Sequence, residues 1–260
     1  MNLGVLSSGS SGNALVLEHE GQCIFFDAGL SGCEHLKRMQ QAGFGAHCPL
    51  GLFVSHEHGD HSRGAGVLAR KWKIPVFSTK GTFFGSGFNR QKLPAGTERY
   101  ENGDSITLGP FRVETFRISH DASDPTGFVV EAGGVRIGIA TDMGEAGPLV
   151  LSMLSGCDGL VLEFNHDLEM LWDGPYPWPL KQRISSGLGH LSNDDAAALL
   201  GRIAHGGLKV CVLAHLSQEN NTPELALESA RRVTGDRFAL VAGSRHHALP
   251  LIQVVQEVFL

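Results

Sequence analysis

Between residues 56 and 61 the chain reads His56-Glu57-His58-Gly59-Asp60-His61, an H-x-H-x-D-H pattern whose four named positions can all bind a metal. Imidazole and carboxylate together form a donor set that suits zinc and also accepts manganese or iron. An apolar run at 52–54 leads into this segment, and a helix-prone run at 62–73 follows it. Alternate residues of an extended segment point the same way, so His56 and His58 can share one metal. Asp60 and His61, in the turn or first helical turn, can face a second. Three more residues sit just past apolar, β-prone runs: His120 after 111–118, Asp142 after 135–140 and His215 after 210–213. Alone, each reads as a loop residue facing solvent. Together with the hexad they supply the donors that a metal pair still lacks. Two metals roughly 3.5–4 Å apart can activate water and clamp the oxygens of an ester, which is hydrolytic chemistry.

The elements that must position these residues are short. Strands are expected at 3–6, 14–17, 23–26, 52–54, 76–78, 105–108, 111–116, 127–131, 135–140, 159–162 and 210–213. Gly, Pro and Asp bound them. Helices are expected from Ser31 to about Gly43, and at 62–73, 146–154, 193–204 and 223–234. Ser31-Gly32-Cys33-Glu34 has the capping-box pattern. Runs of strands alternate with runs of helices, which indicates α/β layers rather than a simple βαβ alternation. With no internal repeat or low-complexity linker, residues 1–260 read as a single domain. The least regular stretch is 165–191, rich in Pro, Gly and Trp. A loop of that length is usually functional or mobile.

Of the 260 residues, 42% are hydrophobic, enough for a sizeable core, and only 18% are charged, which argues against wholesale disorder. The net charge of −6 excludes a uniformly cationic nucleic-acid binder but leaves room for a local basic groove. Bound divalent cations would offset part of that charge. The five cysteines, Cys23, Cys33, Cys48, Cys157 and Cys211, are odd in number and widely spaced, with no C-x-x-C. They suit a reduced, cytoplasmic compartment better than a disulfide framework. The N-terminal apolar stretch is short, interrupted and not preceded by a basic segment, so it does not read as a signal peptide. No apolar run approaches the ~18 residues of a membrane span. The sequence carries no signal for oligomeric state.

The series His56-x-His58-x-Asp60-His61, His120, Asp142, His215 resembles the ligand series of the metallo-β-lactamase superfamily. Asp27, in Phe25-Phe26-Asp27-Ala28-Gly29, matches that superfamily's first motif. A closer resemblance, to the YycJ/WalJ group of bacterial hydrolases, rests on residues spread over nearly the whole chain. They are 6–13, Asp27-Ala28-Gly29-Leu30-Ser31, the His56-Glu57-His58 segment, Asn165-His166-Asp167, Gly174-Pro175-Tyr176-Pro177-Trp178, 189–193, His215-Leu216-Ser217 and Asn220-Asn221. The resemblance implies a four-layer αββα sandwich with two divalent metal ions, zinc or manganese, with iron as a further option, at one edge. It implies that His56, His58 and His120 hold one metal, that Asp60, His61 and His215 hold the other, and that Asp142 bridges them. It also implies a DNA exonuclease in which Asp60, Asp142 and His190 carry catalytic roles.

Other residues have two readings each. Asp27 accepts a hydrogen bond from a ligand imidazole, or caps a turn with Gly29. His190 protonates the leaving oxygen, or holds substrate. Ser192 and Asn193, at a helix start, and Arg183, in the long loop, are candidates for binding substrate phosphate. The segment 7–13 cradles an anion, or is a flexible turn. Tyr176 and Trp178 stack on a base, or pack the loop against the domain. The ligand series indicates hydrolysis more sharply than it indicates a substrate. Small phosphodiesters and thioesters of the glyoxalase II type are the enzymatic alternatives, and a metal-stabilised binding module without turnover is the non-enzymatic one.

Overall fold

Cys23, Ile24, Phe25 and Phe26 are consecutive and all fully buried. In an extended chain they face opposite ways, so that strand needs apolar cover on both sides. The computed structural model, which describes residues 1–44 and 47–255, provides that cover. The first half of the chain forms β1 (Asn2–Ser7), β2 (Ala14–His19), β3 (Gln22–Phe26), α1 (Gly32–Gln41), β4 (Cys48–Phe53), α2 (Gly59–Ser62), α3 (Ala65–Trp72), β5 (Val76–Ser78), α4 (Lys80–Gly85) and β6 (Thr97–Arg99). The second half forms β7 (Ser105–Leu108), β8 (Phe111–Arg117), β9 (Thr126–Ala132), β10 (Val135–Ala140), α5 (Pro148–Leu154), β11 (Gly159–Glu163), α6 (Leu168–Asp173), α7 (Trp178–Ile184), α8 (Asn193–Ile203), β12 (Val210–Ala214), α9 (Pro223–Thr234), β13 (Ala239–Ala242) and β14 (Ile252–Gln253).

The strands make two seven-stranded sheets, ordered β14-β1-β2-β3-β4-β5-β6 and β13-β12-β11-β10-β9-β8-β7. Ile24, Phe26 and Phe53 of the first sheet meet Phe128, Ile137 and Val212 of the second in the central layer. Cys23, Phe25 and Leu52 point the other way, onto Met39 of α1 and Leu68 of α3. Leu160, Leu162 and Leu213 point out from the second sheet onto Leu199 and Leu200 of α8 and Ala226 of α9. The result is the expected four-layer αββα sandwich.

Ser31 caps α1, its Oγ accepting from Glu34 N at 3.3 Å. The Glu34 carboxylate accepts from Arg38 Nε at 2.9 Å, a pairing the capping-box pattern did not anticipate. The helix expected at 62–73 is instead two, α2 and α3, separated at Arg63-Gly64. The chain passes so close to Leu30 there that a Cβ on Gly64 would lie 2.1 Å from the Leu30 carbonyl oxygen. The irregular stretch at 165–191 contains the two short helices α6 and α7.

β3 to β6 run parallel to one another, as do β10 to β13, and β8 shares the direction of β10 through the antiparallel β9 between them. Asp27, His56, His120, Asp142 and His215 each follow the C-terminal end of one of these strands, and Glu163 ends β11. The topology therefore brings residues far apart in sequence to one rim. Among the described residues, no helix is long and apolar enough to cross a membrane.

Candidate metal centre

The hexad has the local form its spacing suggests. His56 lies in the extended segment after β4, His58 is the N-cap of α2, and Asp60 and His61 lie within that helix. His56 Nε2 is 3.1 Å from His58 Nδ1, and His120 Nε2 is 3.3 Å from the same atom. His120 Nδ1 donates to the Gly189 carbonyl at 3.1 Å, which leaves Nε2 as its lone-pair nitrogen. Burial keeps His56 neutral, with its pKa well below the usual imidazole range, and lowers that of His120 as well. Three imidazole nitrogens, one from each ring, thus face one another.

Beside them is a second group, Asp60, His61, Asp142 and His215, whose ligand atoms all lie within 4.8 Å of one another. His61 Nδ1 donates to Asp27 Oδ2 at 2.7 Å, so its Nε2 turns inward, 3.1 Å from Asp142 Oδ2 and 3.4 Å from Asp60 Oδ2. His215 Nδ1 donates to Glu163 Oε1 at 2.9 Å, turning Nε2 towards Asp60 Oδ2 at 3.8 Å. Burial alone would neutralise these groups, but they hold one another charged. Asp142 and Asp27 raise His61 well above its ordinary range, and Asp142, Asp60 and Glu163 push His215 up to about 10. Burial opposes ionisation of Asp142, yet His215 and His61 outweigh it and hold the carboxyl well below the usual range.

This donor set fits divalent cations. Asp142 Oδ2 and His215 Nε2 are buried and make no hydrogen bond. Buried polar atoms of that kind are normally satisfied, and here both belong to carboxylate and imidazole groups that converge with two further donors. The other nitrogen of His61, His120 and His215 is fixed by a carboxylate or carbonyl, the usual support for a ligating imidazole.

Asp27, Asp142 and His215 are three of the five non-glycine residues with positive φ among the described residues, at 59°, 58° and 55°. Left-handed backbone costs a non-glycine residue energy and persists where the surroundings fix it. In each case the chain bends as it leaves a strand.

Glu163 is a participant that its sequence context did not single out as a ligand or an anchor. It is fully buried at the end of β11. Oε1 accepts from His190 Nδ1 and His215 Nδ1, both at 2.9 Å, and Oε2 accepts from Met143 N at 2.7 Å and Leu191 N at 3.2 Å. Asp142, Glu163, His190 and His215 also meet the geometric condition for a metal group. Four donated hydrogen bonds saturate the Glu163 carboxylate, so it acts as an anchor for two imidazoles. Its charge is secured by the same contacts: burial raises its pKa, and His190 and His215 more than reverse that, to about 2.

Asn13, in the segment 7–13, takes part through its side chain, and so does Glu57, which the metal-ligand pattern passes over. Asn13 Nδ2 lies 3.2 Å from Asp60 Oδ2 and 2.9 Å from His61 Nε2, so the loop after β1 braces the hexad. Glu57 Oε1 accepts from Ser123 N at 2.8 Å and Ser123 Oγ at 2.7 Å, tying the His120 loop to the same segment. Gly29 admits the closest approach, since a Cβ there would lie 1.6 Å from the Asp60 carbonyl oxygen. Gly29→Ala is therefore expected to cost on the order of 3 kcal/mol in urea unfolding, the upper range for overpacking. An unfolding free energy within about 0.5 kcal/mol of the parent would contradict the close approach.

Two of the expected substrate contacts are turned inward. Ser192 is the N-cap of α8, accepting from Asp195 N at 3.1 Å and donating to Asp195 Oδ2 at 2.6 Å. Asn193 Nδ2 donates to Asn221 Oδ1 at 2.9 Å. Both side chains are buried and occupied. Asn221 in turn donates to the carbonyls of Phe164 and Asn165, and Asn165 Nδ2 donates to the His215 carbonyl at 2.9 Å, so the asparagines pin the His215 turn. Lys181 is also structural, its Nζ donating to the Trp172 carbonyl. Arg183 does reach the rim, paired with Asp121 at 2.5 Å. With Tyr176, His190, Ser10 and Ser217 it lines a cavity of about 270 Å³. Trp178 packs beside Trp172, ring centroids 5.2 Å apart, and stays 61% exposed.

Residues 23–216 match the family model for the beta-lactamase superfamily domain. The chain is 36% identical to the exodeoxyribonuclease YycJ of Bacillus anthracis, over 91% of this chain and 90% of that one. It is 34% identical to the exodeoxyribonuclease WalJ of Streptococcus pneumoniae, over 96% and 97% respectively. Among solved structures, the metallo-beta-lactamase fold protein YhfI of Bacillus subtilis superposes with a TM-score of 0.74 at 14% identity, covering 95% of this chain and 98% of that one, a likeness of fold.

Proposed function

The chain belongs to the metallo-β-lactamase superfamily, and within it to the group containing YycJ and WalJ; from that footing we propose that it is a two-metal phosphodiesterase that degrades DNA as an exonuclease. The observation that carries the reading is the pair of adjoining donor groups, Asp142 of the second lying 3.9 Å from His120 of the first, in a chain about one-third identical to two named exodeoxyribonucleases over nearly its full length. In this reading His56, His58 and His120 hold one ion, Asp60, His61 and His215 hold the other, and Asp142 serves both. Zinc or manganese suits such mixed nitrogen and oxygen donors, and iron is compatible. Bound there, the ions would supply Lewis acidity, lowering the pKa of water and neutralising charge on phosphoryl oxygens.

The protein's own groups do the rest. Asp27, Glu163 and the Gly189 carbonyl fix three imidazoles through Nδ1, so that Nε2 of each is the nitrogen left to bind an ion, giving up any proton it carries as the ion binds. Glu163 also holds His190 through Nδ1, leaving Nε2 free to hold a proton for the departing sugar oxygen. Arg183 and Tyr176, on the wall of the same cavity, are placed to contact a phosphate and a base. Residues 1–260 work as one domain in this reading, and the five free thiols suit a reduced, cytoplasmic setting.

The test is hydrolysis of end-labelled single- and double-stranded DNA and of bis-p-nitrophenyl phosphate, with zinc or manganese and then with EDTA. Metal-dependent DNA cleavage releasing products from one end is expected. Cleavage of the small diester alone would move the function to small phosphodiesters. No cleavage of either by protein shown to hold two metals would overturn the phosphodiesterase reading.

A further inference from the structure

A second cavity, of about 430 Å³, lies on the far side of the His215 turn. Its walls include Ser217, Gln218, Ser244, Arg245, His246 and His247, with Ser8 at its inner end. The volume is within the usual range for ligand pockets. Among the described residues no carboxylate lines it, although the chain as a whole carries a net charge of −6. Arg245 donates from Nη1 to Gln218 Oε1 and from Nε to His246 Nε2. Both partners are neutral acceptors, and among the described residues no carboxylate forms an ion pair with Arg245.

This cavity is joined to the metal centre in two ways. Ser217 lines both it and the cavity that holds His190 and Arg183. Ser8 N donates to the Ser244 carbonyl at 3.0 Å, while His215 N donates to Ser8 Oγ at 2.7 Å. The Arg245 segment is thus tied by one residue to the backbone of a candidate metal ligand. A guanidinium with imidazoles and hydroxyls around it, without a competing carboxylate, is suited to phosphate, which it can meet with paired N–H donors.

We infer that this cavity is a second phosphate subsite, in which Arg245, with His246 and His247, binds a phosphate group of the substrate strand next to the one at the metals. The inference rests on the nuclease reading and adds where the strand goes: past Ser217, towards the ends of β12 and β13. Arg245 is a substrate-positioning residue in this scheme.

The test is equilibrium binding of a short fluorescent single-stranded DNA to the full-length protein in EDTA, where nothing is cleaved. Oligonucleotides with and without a terminal phosphate are compared on wild type, Arg245→Gln and His247→Ala. Arg245→Gln is expected to weaken binding on the order of tenfold, as for loss of a charge-assisted contact, and to flatten the slope of log K against log salt by about one unit. If the deficit appears only with the phosphorylated oligonucleotide, the occupant is a terminal phosphate; if it appears with both, it is an internal one. Unchanged affinity and salt slope in both variants, or no binding of either DNA by wild type, would overturn the subsite. Failure of the nuclease reading would show elsewhere, as absence of metal-dependent DNA cleavage by wild type.

Discussion

Asp142→Asn protein, assayed with added zinc or manganese, is expected to lose DNA hydrolysis by at least about 10³-fold while remaining folded, exceeding the cost of removing one transition-state donor. Asp142 is a carboxylate in reach of both donor groups, 3.1 Å from His61 Nε2 and 3.9 Å from His120 Nε2. Its replacement should lower metal content from two per chain to no more than one, read by elemental analysis. Folding should survive because the imidazoles keep their other anchors: His61 retains Asp27 at 2.7 Å and His215 retains Glu163 at 2.9 Å. Asparagine is the better replacement because residue 142 sits at φ 58°, where it is tolerated more readily than alanine. Asp142→Ala should show the same loss of activity with an added cost in stability. Wild-type-like hydrolysis by either variant, in folded protein supplied with metal, would remove Asp142 from the centre of the scheme.

The second large effect expected is substrate-dependent. His190→Ala should slow DNA hydrolysis by on the order of 10²–10³-fold, within the range for general acid catalysis. It should slow bis-p-nitrophenyl phosphate hydrolysis by less than about tenfold, because p-nitrophenolate leaves without a proton while a sugar oxygen needs one. The Glu163 contact sets this expectation. A fully buried carboxylate that already accepts from two backbone amides can only accept from His190 Nδ1, so Nδ1 carries a proton and Nε2 is the exchanging nitrogen. Glu163→Gln should reproduce the leaving-group dependence and also weaken metal binding, because His215 shares the same oxygen. Equal losses on both substrates in His190→Ala would assign the ring to holding phosphate instead of moving a proton.

Where strands and ligands occur was legible from local pattern. The strands expected at 76–78, 105–108 and 135–140 have the same bounds in the structure, and the other expected strands differ at their ends by a few residues. Apolar runs bounded by turn residues leave little choice of local conformation. The strands that escaped notice were β6, β13 and β14. They are short, and Thr97–Arg99 and Ala239–Ala242 are edge strands with incompletely buried side chains, so their pairing comes from a neighbour. The helices α6 and α7 were hidden because Pro, Gly and Trp mask any periodicity over six or seven residues.

The hexad His56–His61 was readable because adjacency in sequence is adjacency in space over one strand end and one helical turn. What lay beyond reach was everything set by the order of strands in a sheet. Glu163 meets His190 and His215 across 27 and 52 residues of sequence, and Asn13 meets His61 across 48. Ser192 and Asn193 show the same limit in reverse: their types suggested phosphate contacts, but Ser192 caps its own helix on Asp195 and Asn193 is paired with Asn221. Side-chain chemistry and short-range periodicity are local, so they were enough to mark which side chains can bind metal and on which strand ends they ride. Which carboxylate anchors which imidazole, and where the cationic cavity opens, depends on strand neighbours that no short window of sequence contains, so the folded arrangement alone settles them.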